Sequence, residues 1–77
     1  MMKFTLTALC KDIYEKEKLF EGITKTGAVI EDHWIKFSSQ EVVVRVSVEP
    51  DEGVRIFKEF IDNLGRYATL TSGSRGR

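Results

Sequence analysis

Residues 41–49 read Glu-Val-Val-Val-Arg-Val-Ser-Val-Glu, and Pro50-Asp51-Glu52 follows directly. In an extended chain Val42, Val44, Val46 and Val48 fall on one side, and Val43, Arg45 and Ser47 fall on the other. Period-two alternation of β-branched residues is the pattern of a strand with one face on a core. A proline after a strand, with acids behind it, starts a helix. Val54, Phe57, Ile61 and Leu64 then recur at helical spacing, and Ile56 and Phe60 widen the stripe to about half the circumference. Ala68 extends the stripe from Leu64, and Tyr67 follows Phe60 by two turns. The pattern predicts a helix running to about Leu70, passing Gly65 at a cost of about 1 kcal/mol against Ala.

Working back from the valines, residues 28–37 form a second strand and Ser38-Ser39-Gln40 joins the two as a hairpin. A two-residue turn at Ser39-Gln40 would pair Phe37 with Val42, Ile35 with Val44, His33 with Val46 and Trp34 with Arg45. A four-residue loop keeps the same parity, so the apolar residues still share one face. Further back, Lys3 to Leu9 alternates, with Phe4, Leu6 and Ala8 on one side. Asp12 to Ile23 reads as a short helix with a capping box formed by Asp12 and Glu15. Gly22 and Gly27 bracket its exit and a turn. The expected class is α+β in the order β-α-β-β-α, a three-stranded antiparallel sheet with two helices on one face. Residues 1–70 form a single domain and residues 71–77 a flexible basic tail.

The chain has 77 residues, with 12 basic and 12 acidic side chains. That length supports one domain, and the composition is too apolar for disorder. No stretch approaches the roughly 18 apolar residues of a membrane span, and the first residues form no signal-peptide core. A lone cysteine, Cys10, fits a reducing, cytoplasmic setting. One Asn, one Gln and one Pro beside many Lys and Glu lean toward a thermophilic source. A domain this small buries only about 60% of its unfolded surface, so a partner subunit is expected to complete it. Neutrality argues against a histone-like binder, but it is an average. Residues 1–62 hold all 12 acids and nine bases, net −3, and Arg66, Arg75 and Arg77 make the remainder +3.

No catalytic, cofactor or metal constellation is expected. His33 is the only histidine, without ligand spacing to a cysteine, and reads as structural. Cys10 reads as a small buried hydrophobe. Adjacent carboxylates such as Glu31 and Asp32 point to opposite faces of a strand. Gly22 and Gly27 have the outer spacing of a phosphate loop, but Ala28-Val29 stand where its Lys and Ser/Thr belong. Two surfaces stand out instead. One is the wide stripe Val54, Phe57, Phe60, Ile61, Leu64 and Tyr67, with Trp34 and Val43 on the open sheet face, as a partner interface. The other is Arg45, Arg66, Arg75 and Arg77, as contacts to RNA phosphate, with Trp34 as a stacking platform.

The stretches FTLTALCKD and EVVVRVSVEPDEGVRIFKEFIDNLGRYATL, with Asp62-Asn63-Leu64-Gly65-Arg66-Tyr67 near the helix end, carry a resemblance. In length, element order and this acidic turn into a closing helix, the chain is similar to the small Pcc subunit family of the archaeal and eukaryotic KEOPS complex, as a member or a diverged paralogue. The resemblance implies a non-catalytic dimerising scaffold, as homodimer or as heterodimer with a Pcc-type subunit. It implies contact with the catalytic ATPase-like subunit that installs threonylcarbamoyl on adenosine of transfer RNA. The alternative on residues alone is an independent RNA- or single-strand-binding module.

Overall fold

A computed structural model describes residues 1–64 and 68–72. The order is β1 (Met2–Leu9), α1 (Ile13–Lys25), β2 (Val29–Lys36), β3 (Glu41–Val48), α2 (Glu52–Leu64) and β4 (Ala68–Ser72). The strands form one sheet in the order β2-β3-β1-β4, with every neighbouring pair antiparallel. This connectivity is two interleaved split β-α-β units, the ferredoxin-like arrangement. The α+β class holds. The expected three-stranded sheet has a fourth strand.

The fourth strand replaces the expected last turns of the long helix. α2 stops at Leu64, and Ala68-Thr69-Leu70-Thr71 pairs with β1: Leu6 lies opposite Leu70 and Ala8 opposite Ala68. A four-residue step from Leu64 to Ala68 suits a helix, but Thr69 and Thr71 alternate with Ala68 and Leu70 at period two. That alternation matches Phe4, Leu6 and Ala8, and without β4 those residues would sit on a bare edge strand.

β3 lies at the centre of the sheet, and its valines reach both faces. Val42, Val44, Val46 and Val48 join Phe4, Leu6, Ala8, Leu19, Ile23, Phe57 and Ile61 in one core beneath both helices. Val43, on the other side, is only 3% exposed between Trp34 and Thr7. The hairpin keeps the expected parity with a shifted register. Ile35 pairs with Val42, His33 with Val44 and Trp34 with Val43. The connection is the four-residue loop Phe37-Ser38-Ser39-Gln40, with Gln40 in the left-handed region at φ 58°. Phe37 therefore leaves the valine stripe. A bulge at Glu31 restores Ile30 to the core face opposite Val46, which strict alternation from Ile35 would deny it. The Glu31 side chain accepts a 2.6 Å hydrogen bond from the Ser47 hydroxyl, satisfying a buried group on the open face.

α1 begins as its caps dictate. The Asp12 side chain accepts from the Glu15 N–H at 2.9 Å, and the Glu15 side chain accepts from the Lys11 N–H at 2.9 Å. The helix runs through Gly22 to Lys25. The turn comes at Gly27, whose φ of 91° suits glycine. Gly22 serves a different purpose: the Phe60 ring of α2 fits against its bare Cα.

Candidate interaction surfaces

Among the described residues no group of three or more His, Cys, Asp or Glu side chains could hold a metal ion. No helix among the described residues is long and apolar enough to cross a membrane. The surfaces that remain are a groove, an apolar patch, the open sheet face and the outer edge of β4.

The groove, of about 640 Å3, lies where β1 ends and β4 begins, between the helices. Leu19, Phe60, Leu64 and Ala68 line its apolar part, and Lys11, Glu15 and Lys18 stand at its rim. Cys10 also lines it. Burial chiefly raises the Cys10 thiol above its ordinary pKa, and the Glu15 and Asp12 carboxylates add to this against an opposing Lys16. A raised pKa means less thiolate near neutrality. The thiol should therefore react with a disulfide reagent at pH 8 more slowly than an unstructured cysteine. Rates measured on the native chain and on the chain in urea check this. A native rate above the unfolded one would mark an activated thiolate instead.

The apolar patch surrounds the loop between β2 and β3. Phe37 is 85% exposed and Ile13, at the start of α1, is 69% exposed. Both line a hollow of about 290 Å3 with Ile35 and Val42. The loop is held in place from three sides. The Cys10 N–H donates to the Gln40 carbonyl at 3.0 Å, the Ser39 N–H donates to the Lys36 carbonyl at 3.3 Å, and the Ser39 hydroxyl donates to Glu41 at 2.9 Å. Phe37 is thus presented to solvent by an anchored turn. Sequence reading placed Phe37 in the core because the two-residue turn put it opposite Val42. The unsuitability of Ser39-Gln40 for such a turn was the signal that a longer loop would eject it.

The residues expected as a partner interface divide by burial. Phe57 and Ile61 lie inside the core, and Val54, Phe60 and Leu64 pack against it half-buried. The stripe of α2 is consumed largely by the sheet. Ile56 is left at the solvent side. Trp34 and Val43 sit opposite one another on the open face. Trp34 is 41% exposed, and the Arg45 guanidinium lies 5.8 Å from its ring centroid as a diagonal neighbour rather than the expected direct partner. Asp32 takes the place opposite Arg45. Tyr67, Arg66, Arg75 and Arg77 lie outside the described residues.

The open face reads as neutral. Arg45, Lys3 and Lys36 share it with Glu31, Asp32 and Glu41, and threonines occupy the middle, with Thr5 opposite Thr71 and Thr7 opposite Thr69. On α2, Arg55 donates to Glu52 and, at 3.1 Å, to Glu59. The hydrogen bond from Arg55, and then its charge, hold the Glu52 carboxyl below its ordinary pKa. These groups are fully solvated and serve the helix surface. The sequence matches no family model, and no curated protein and no solved structure matches it.

Proposed function

We propose that this chain is a non-catalytic scaffold subunit that dimerises and seats a larger partner, in a complex of the KEOPS type that modifies transfer RNA with threonylcarbamoyl. The observation that carries the scaffold reading is the exposed apolar patch of Ile13, Ile35 and Phe37 around its hollow. Leaving a phenylalanine in water forgoes about 1.5–3 kcal/mol that burial would supply. An anchored loop that keeps it there is suited to insertion into a partner, as aromatic anchors are in protein interfaces. The resemblance to the Pcc family supplies the identity of the complex.

The RNA-binding alternative has less to stand on. Sheets that bind RNA through this topology stack bases on aromatic side chains of the sheet face. Here β1 and β3 present Thr5, Thr7, Val43 and Arg45, and Trp34 on the outer strand is the sole aromatic group of the open face among the described residues. The acids on that face offset its bases, so counterion release would be small.

Co-expression with a Pcc-type subunit and the ATPase-like subunit tests the proposal. The wild-type chain should be captured with them. Phe37→Asp and Ile13→Asp should each reduce capture about tenfold or more while leaving stability within about 0.5 kcal/mol, because both side chains already face solvent. Failure of the wild-type chain to associate with either subunit would remove the KEOPS assignment. Undiminished capture of both variants would remove the patch.

A further inference from the structure

The two outer strands of the sheet differ in how they meet solvent. β2 carries a bulge at Glu31 and the charges of Glu31, Asp32 and Lys36, the devices that discourage strand addition. β4 reads Ala68-Thr69-Leu70-Thr71-Ser72, with no charge, no proline and no bulge in its pairing with β1. Its outer backbone groups face away from the sheet. Such an edge is a template for another strand.

The sequence of β4 is also nearly symmetric about Leu70. An antiparallel pairing of two copies centred there would use all five residues. It would place Leu70 opposite Leu70 and each Thr69 opposite the second copy's Thr71. On the open face, the rows Thr7–Thr69 and Thr5–Thr71 would continue directly into those of the second copy. Cross-strand threonine pairs of this kind are favourable. On the helix face, the half-buried Leu70 would meet its own counterpart and lose its remaining contact with water.

Charge agrees with the strand. Beside β4 a hollow of about 400 Å3 is lined by Lys58, Ile61, Asp62, Ala68 and Leu70. Lys58 and Asp62 stand one turn apart on α2, and neither is ion-paired among the described residues. A two-fold axis at Leu70 sets α2 antiparallel to its copy. Lys58, whose ammonium lies 5.8 Å from the centroid of its own Phe4 ring, would then stand on the side of the other chain's Asp62. A surface that is self-complementary in strand sequence, apolar contact and charge fits an isologous contact.

We infer that the β4 edge is the self-association surface, joining two copies of this chain into a continuous eight-stranded sheet. This rests on the dimer part of the reading above and names its contact. Short paired edges flanked by one helix face each make an interface at the small end of the specific range, so the dimer should be reversible and concentration-dependent.

Sedimentation of the full chain over roughly 1 μM to 1 mM tests this. The wild type should show a monomer–dimer equilibrium. Thr69→Lys with Thr71→Lys sets like charges opposite one another across the axis, and Thr69→Glu with Thr71→Glu does the same with the other sign. Each double variant should dimerise roughly tenfold more weakly or worse, and an equal mixture of the two should restore the dimer. Unchanged dimerisation of either variant would overturn the β4 contact while leaving a dimer through another face. A wild type that stays monomeric throughout would overturn both. Should circular dichroism show the threonine variants unfolded, Lys58→Asp and Asp62→Lys on the exposed helix surface repeat the swap. Separate weakening with restoration on mixing supports the contact, and no change overturns it.

Discussion

Phe57→Ala should unfold most of the protein at temperatures where the wild type is stable. Phe57 is 0% exposed, and its ring lies 5.8 Å from that of Phe4 at 32°. It enters the core from α2 over the centre of the sheet, among Val46, Val48 and Leu6 in one cluster. Removing a buried phenylalanine costs about 3–5 kcal/mol, from lost transfer free energy and from the cavity left behind. A domain of this length has about 4–12 kcal/mol in all. The melting temperature should fall by about 15–30 °C, judged by circular dichroism at one fixed chain concentration. Ile56→Ala, one residue away at the solvent side, should cost under about 1 kcal/mol. A Phe57→Ala variant that melts within a few degrees of wild type would mean that α2 does not dock as described.

That contrast between adjacent residues was legible in the sequence, because Phe57 sits mid-stripe and Ile56 at its margin. So were the strand at 41–48, its core-facing valines, the capping pair Asp12 and Glu15, and the parity of the hairpin. What escaped reading has physical causes. Leu64 to Ala68 is a four-residue step that continues a helix, and only the need of β1 for a neighbour converts the following residues to a strand. The bulge at Glu31 leaves no local mark, since it is imposed by Ile30 seeking the core. The exposed Phe37 follows from loop length, which parity alone does not determine. The interaction surfaces were therefore the least legible part. An apolar stripe was visible, but the sheet consumes it, and the surplus apolar surface lies at a loop and a strand edge.

The position of these two surfaces bears on the proposed scaffold role. Phe37 and Ile35 lie at the β2 side of the sheet, and β4 is the opposite edge. Pairing through β4 would leave both apolar patches at the far ends of an eight-stranded sheet, each free to take its own partner. A dimer closed through the patches would leave neither. The two contacts are thus separable by mutation: Phe37→Asp should spare self-association, and the threonine charge variants should spare capture of the larger subunit by the monomer.

Gly22→Ala should change sign with the residue at position 60. In a helix interior alanine is favoured over glycine by about 1 kcal/mol, so an unobstructed substitution would stabilise α1. Gly22 is obstructed. A Cβ there would lie 2.5 Å from both Cε1 and Cζ of Phe60, the distal atoms of a rigid ring on α2. The ring can yield only by swinging toward the groove it lines, giving up its contact with the core. Overpacking of this kind costs about 1–3 kcal/mol, which exceeds the propensity gain. The variant should therefore be about 1–2 kcal/mol less stable than wild type in urea denaturation. Phe60→Leu removes the two obstructing atoms, while Cδ1 at 3.6 Å is in ordinary contact. In that background Gly22→Ala should stabilise by up to about 1 kcal/mol, a coupling of about 2–3 kcal/mol across the cycle. A stabilising Gly22→Ala in the wild-type background would mean that the two helices stand further apart than the notch at Gly22 requires. Equal effects in both backgrounds would mean that the glycine is retained for something other than the Phe60 ring.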